Sequence, residues 1–238
     1  MIRKTEAIVL NTQKFGDSSL ICSMYTRSYG RQSYLVKGYR SVRARKRHSY
    51  FQPMSIIDIV FYHKEQRDLQ LISESSNRFF LQTLQTDPVK ITLGMVVIEV
   101  FHLTVKEQES NPPLFEFLGR ILTELDRKDN HLIHIFLHYL VQLSGYLGFM
   151  PSDLVEDATQ PVHFDLRNGT LTNAPLPDPG ASLVLAFARL PLDQCDAIPL
   201  SQLDKQDVLA TMMEYYRIHL DGFKIPASLG VFQEIFGK

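Results

Sequence analysis

The chain has 238 residues, 45% hydrophobic and 21% charged, which excludes a disordered or collagen-like polypeptide and suits one large or two small domains with real cores. Its net charge of −1 hides an asymmetry: residues 1–80 hold 14 Lys and Arg against six acids, and the remainder holds 11 against 20. A balance of +8 followed by −9 points to one part that meets a polyanion and another with a different task. Glu99 and His102 interrupt the best apolar stretch, Ile91 to Val105, short of the ~18 to 20 residues a membrane helix needs. The apolar run Ala7 to Leu10 is too short for a secretory signal, so a cytoplasmic protein with no membrane partner is expected. Cys22 and Cys195 belong to no CxxC pair, which leaves neither a disulfide framework nor a cysteine zinc site.

Five short strands are expected first: Ala7 to Thr12, Leu20 to Tyr25, Ser33 to Lys37, Ile56 to Tyr62 and Leu69 to Glu74. Gly16-Asp17-Ser18 and Ser28-Tyr29-Gly30 supply the first two turns. Five strands with no comparable helix between them suit a Greek-key barrel of the oligonucleotide-binding (OB) kind, with an SH3-like barrel as the competitor. From about Asn77 the apolar period changes to 3.6, predicting helices over Pro88 to Val105, Pro112 to Leu125, Leu132 to Leu147 and Leu203 to Leu220, and a short one over Ser228 to Phe236. Ser201 and Asp204 read as a capping box. Residues 150–182 hold five of the 12 prolines, and Asn168-Gly169 signals a type I′ hairpin between His163 and Thr172. The fold class is therefore α+β: an N-terminal five-stranded OB barrel over residues 1–80, then a helical domain over 81–238 with a small inserted β-hairpin.

The most informative segment is Ser18 to Ile57, 40 residues with no acid and eight bases: Arg27, Arg31, Lys37, Arg40, Arg43, Arg45, Lys46 and Arg47. Interleaved are Tyr25, Tyr29, Tyr34, Tyr39, Tyr50 and Phe51. Cations that track phosphates and rings on which bases stack are what single-stranded nucleic acid requires. Tyr25, Arg27, Tyr29 and Arg31 are spaced by two across the hairpin between strands 2 and 3, and an extended chain sends such residues to one face. Arg40 to Arg47 occupy the connection to strand 4, where long side chains can follow a backbone without reading sequence.

His131, His134 and His138 share one helical face and have metal-compatible spacing, yet they lie opposite the apolar stripe of their helix and no carboxylate intervenes, so the polar face of an amphipathic helix is the better reading. No GxxxxGK[ST], GxGxxG or GxSxG motif occurs, which favours binding over turnover and a protein without a cofactor. Two alternatives stay open: an RNA-binding factor on the same barrel, and a metal-dependent nuclease using the three histidines or the acids Asp153, Glu156, Asp157 and Asp165.

Gly16-Asp17-Ser18-Ser19-Leu20, Thr26-Arg27, Gly30, Val36-Lys37-Gly38-Tyr39-Arg40-Ser41 and Gln52-Pro53, with Leu143-Ser144-Gly145-Tyr146-Leu147-Gly148-Phe149-Met150-Pro151 and the Phe164 to Gly169 hairpin, resemble the RecO family of bacterial recombination mediators. The resemblance implies an OB domain that binds single- and double-stranded DNA, strand annealing, and loading of RecA, with RecR, onto strand coated by single-strand binding protein. It implies a nucleoid-associated role in DNA damage repair and the SOS response, with no catalysis and no cofactor. It also implies that Lys37 and Arg40 contribute to DNA binding. By proximity Arg43, Arg45, Lys46 and Arg47 join them, and Arg27, Arg31 and Tyr39 complete the expected DNA-binding set. Some members carry a four-cysteine zinc site after Gly-Phe-Met-Pro; this chain has no cysteine there, and the proline-rich hairpin at 150–182 is expected in its place, metal-free.

Overall fold

The computed structural model describes residues 1–38, 50–153, 163–172 and 180–236. They form two compact units, Met1–Arg127 and Lys128–Lys238.

The first unit opens with five strands: β1 (Ile2–Phe15), β2 (Ser19–Thr26), β3 (Gly30–Val36), β4 (Ile56–Tyr62) and β5 (Leu69–Phe79). They close into a barrel in the order β1-β2-β3-β5-β4, with β4 pairing back onto β1. All neighbours are antiparallel except β3 and β5, which run parallel from Ser33 opposite Leu69 to Leu35 opposite Leu71. This is the OB-like arrangement that the sequence leads one to expect. β1 serves two partners, β4 with its first half and β2 with its second. The register slips by one residue between Val9 and Asn11, a bulge of the kind that bends a strand around a barrel corner. Alternate residues point inward, so Leu20, Cys22 and Met24 of β2, Tyr34 and Val36 of β3 and Ile57, Ile59 and Phe61 of β4 fill the interior.

The expected boundary at residue 80 separates strand from helix, but the compact unit runs to Arg127 and includes α1 (Pro88–Thr104) and α2 (Pro112–Arg127). One tie is the connection into α1. Asp126 Oδ1 accepts the backbone N–H groups of Thr83 and Leu84, both at 2.8 Å. The buried Lys90 ammonium donates to Thr83 Oγ1 at 2.8 Å and to Asp126 O at 2.9 Å. A lysine at that depth is tolerated because its donors meet oxygens.

The second unit is built on α3 (Leu132–Tyr146), which packs against α4 (Ala181–Arg189), a 3-10 helix (Leu192–Ala197) and α5 (Gln202–His219); α6 (Ser228–Phe236) follows. The capping box at Ser201 and Asp204 forms as expected. β6 (Ser152–Asp153), β7 (His163–Asp165) and β8 (Thr170–Thr172) make a small sheet in the order β6-β8-β7. The hairpin forms, but not through a two-residue type I′ turn. Asp165 pairs with Thr170 across a four-residue loop in which Gly169 has positive φ (66°) and Asn168 does not. Asp165 Oδ1 accepts the Arg167 and Asn168 N–H groups at 2.9 and 3.2 Å, so a side-chain turn replaces the tighter one. The Asp165 carboxyl is held below the usual range by those bonds, Asn168 first, and is committed to the turn.

The histidine face of α3 is solvated only at its start, where His131 is exposed. His134 and His138 are buried, and Gln142 donates to Phe187 O and Ala188 O at the end of α4 at 3.0 and 3.1 Å. Elements the periodicity did not disclose, α4 and the 3-10 helix, cover that face. Among the described residues no three His, Cys, Asp or Glu are grouped to hold a metal. No described helix is long and apolar enough to cross a membrane.

His134 Nε2 donates to Ile198 O at 3.1 Å, while its Nδ1 is buried with no partner, so the charged ring would place a second N–H where nothing accepts it. Burial lowers its pKa from the ordinary 6.5, outweighing the bond to Ile198. Stability tied to the neutral ring is therefore complete above 6.5 and is lost as pH falls below it, because the unfolded chain binds the proton more readily. The melting temperature should drop between pH 7 and 5, and His134→Gln, which keeps a donor for Ile198 O, should shallow that drop; an unchanged pH profile would contradict the assignment.

Candidate nucleic-acid interface

The β2–β3 hairpin carries the candidate residues, and its register sets them: Leu20 opposite Val36, Ser23 opposite Ser33, Tyr25 opposite Arg31, Thr26 opposite Gly30. Thr26 Oγ1 closes the turn, donating to Gly30 O at 3.0 Å and accepting from Tyr29 N at 3.1 Å. Gly30 has φ of +59°, and a Cβ there would lie 2.3 Å from Glu109 O, so the hairpin tip is pressed against the loop that follows α1.

Arg31 explains that contact. Its guanidinium donates to His102 O at 2.7 Å and Val105 O at 3.0 Å and approaches His102 Nε2 at 3.0 Å, while its backbone N–H reaches Glu107 O at 3.0 Å. The last carbonyls of a helix lack intrahelical partners and carry partial negative charge, so a cation there satisfies both needs. Burial, then the adjacent Arg31 charge, lowers the His102 pKa and leaves Nε2 an acceptor. Tyr25, on the same face, packs edge-on against Phe101 and stacks near Phe115. Its phenol is pushed up to about 12 by burial, with help from Glu107. Arg27 pairs with Glu6 at 3.4 Å and with Glu116.

One expectation, a single face for Tyr25, Arg27, Tyr29 and Arg31, is corrected by this geometry. Arg27 and Arg31 join the hairpin to α1 and α2, and their charges are answered by carboxylates and carbonyls. Tyr25 and Tyr29 do not share a face: Tyr29 turns inward, 5.4 Å from Phe61 and 5.1 Å from His63, because the three-residue turn breaks the alternation. Tyr34 and Phe51 are core, and Tyr50 packs against the core. The described aromatics of the basic segment thus serve packing. Tyr39, Arg40, Arg43, Arg45, Lys46 and Arg47 lie outside the described residues.

What the sheet leaves open is the outer face beyond Arg31. Ser23, Ser33 and Leu69 form one cross-strand row, and Ile21, Leu35 and Leu71 the next, all half-buried. Lys37 is exposed and follows Leu35 by two residues, the spacing that keeps it on this face. Strands 2 and 3 of an OB barrel are its usual oligonucleotide platform.

Comparison with known proteins gives the chain its relatives. A family model for the N-terminal part of recombination protein O matches residues 1–78, and one for its C-terminal part matches residues 85–228. The DNA repair protein RecO of Flavobacterium johnsoniae is 34% identical over 238 residues, covering 98% of each chain. RecO of Christiangramia forsetii is 31% identical over the whole of both chains, and that of Phocaeicola vulgatus 31% over 99% of this one.

Arg31→Ala should lower stability by about 2 kcal/mol, since it removes charge-assisted bonds and strands carbonyls at the end of α1. The salt dependence of nucleic-acid binding should stay as in the unmodified chain; a shallower slope with unchanged stability would instead make Arg31 a phosphate contact.

Proposed function

Because the chain belongs to the RecO family of DNA repair proteins, we propose that it is a recombination mediator that binds single- and double-stranded DNA and anneals complementary strands. With RecR it would load RecA onto strand coated by single-strand binding protein, without a cofactor or covalent chemistry. The observation that carries this reading is the open face of β2, β3 and β5 with Lys37 at its margin, leading directly into the Arg40 to Arg47 cluster. Backbone contact by such cations is indifferent to sequence, which is what annealing of arbitrary complementary strands requires. The half-buried Ile21, Leu35 and Leu71 offer apolar surface beside those charges.

The second unit supports the protein-docking half of the reading. A groove of about 1000 Å³ runs between α5 and α6, floored by Leu209, Met213, Leu229 and Phe232; Lys205 lines it, as does the ion pair of Arg217 with Glu214, 2.6 Å apart. A partner such as single-strand binding protein would dock here through an acidic peptide with a hydrophobic end, which suits the apolar floor and the Lys205 ammonium together.

Two measurements test the two halves. Lys37→Glu with Arg40→Glu should weaken binding of a single-stranded oligonucleotide and reduce the slope of log K against log salt by about 1.4, two phosphates at ~0.7 each; unchanged affinity and slope would exclude this face. Leu209→Asp should weaken binding of an acidic peptide ending in aromatic and aliphatic residues while sparing DNA, and equal peptide affinity would remove the groove from the account.

A further inference from the structure

β5 has two edges, and only one is paired along its whole length. Toward β4 the ladder runs from Leu71 opposite Tyr62 to Phe79 opposite Ile56. Toward β3 it covers only Leu69 to Leu71. Among the described residues, Ser73 to Phe79 make no backbone hydrogen bond on that second side, and Ser73, Glu74, Ser76, Arg78 and Phe79 are exposed. An exposed row of unpaired N–H and C=O groups is a template for a further strand. Bulges often blunt such edges, but here the register slips at Ser73 and at Arg78 bracket the regular stretch Glu74 to Asn77 and leave it intact.

The side chains of this edge are complementary to themselves. Glu74 is exposed and enters no ion pair among the described residues. Arg78 gives its two Nη groups to Glu6 at 3.1 Å and Asp58 at 3.3 Å, which leaves its Nε–H for another acceptor, and its side chain is 37% exposed. Four residues of strand span about 13 Å, so Glu74 and Arg78 cannot meet within one copy. In an antiparallel pair about a two-fold axis through Ser76 they do meet: Glu74 lies opposite Arg78 of the second copy, and Ser75 opposite Asn77. Symmetry makes every such pair twice. The exposed Phe79 and Phe80 then fall opposite Ser73 and Ile72 at the two ends of the contact.

We propose that this edge is a self-association site, at which β5 of one copy pairs antiparallel with β5 of a second copy about Ser76. A foreign peptide is the poorer occupant, because Ser73, Ser75, Ser76 and Asn77 are too small to build the pockets that select a peptide's side chains. The contact is short, so the dimer is reversible and forms at high concentration. The pairing stands apart from the DNA-binding reading; joined to it, one particle presents two open β2–β3 faces, as annealing of two strands calls for.

The test is sedimentation of the full chain without nucleic acid, from about 1 to about 300 μM, where the mass should rise toward twice that of one chain. Glu74→Arg, which sets like charges opposite each other twice, should weaken the dimer about tenfold. A one-to-one mixture of Glu74→Arg and Arg78→Glu chains should pair where neither pairs alone. Ser76→Cys should form an interchain disulfide about tenfold faster on mild oxidation than Gln66→Cys, an exposed control in the β4–β5 loop; the native Cys22 and Cys195 are buried and do not compete. Melting curves check the fold of each variant, and should Arg78→Glu fail to fold, Glu74→Arg and Ser76→Cys decide. A chain that stays single at every concentration would overturn the proposal. So would a dimer that Glu74→Arg leaves equally strong and in which Ser76→Cys cross-links no faster than Gln66→Cys. Neither result bears on the affinity for DNA.

Discussion

The guanidinium of Arg31 is the point on which the first unit depends. It joins the mouth of the β2–β3 hairpin to the C-terminal carbonyls of α1, and the close approach at Gly30, the packing of Tyr25 on Phe101 and the Arg27 pairs with Glu6 and Glu116 surround the same contact. A cation among helix-terminal carbonyls gains several charge-assisted bonds at once, and the carbonyls lose the cost of being left unpaired. Because α1 is held there, one end of the β2–β3 outer face is covered. The remainder, Ser23 and Ser33 onward to Lys37, is left as surface.

That division gives the strand pair two uses within seven residues of β3. At its start the positive charge of Arg31 is spent on the fold; at its exit Lys37 is exposed. Acids follow the same division: Glu6 and Glu116 answer Arg27, and Glu107 and Glu109 belong to the loop against the hairpin tip, whereas residues 18–57 contain none. A polyanion is thereby repelled from the covered end and drawn to the other. On the proposed reading, a half-apolar sheet with the exposed Lys37 at its margin would suit a partner gripped by its backbone without regard to sequence.

The barrel was legible in the sequence because its strands alternate: β4 is found at its expected limits, Ile56–Tyr62, and the helices within a residue or two of theirs. β1 and β5 are longer than expected because residues such as Lys4, Ser75 and Asn77 are polar and break the apolar alternation, yet they join the backbone ladder. The parallel pairing of β3 with β5 has no local signal; it follows from closure of the barrel. The role of Arg31 was illegible for a related reason: a helix-terminal carbonyl presents no side chain, and its partner lies some seventy residues away in sequence. The His134 face of α3 read as polar surface since the residues that cover it, Phe187 to Ile198, come from α4 and a 3-10 helix too short to show a period. Gln70 reads as an ordinary polar strand residue until its three bonds to the 63–68 turn are seen.

The central claim is that one strand face is divided between a covered end at Arg31 and an open end at Lys37. Chemical-shift mapping along β3 during titration with a single-stranded oligonucleotide tests it directly. The account predicts perturbation concentrated from Ser33 through Lys37 and at Leu69 and Leu71, with Gly30 and Arg31 nearly unmoved. Perturbation centred on Arg27, Gly30 and Arg31, with Lys37 silent, would contradict it.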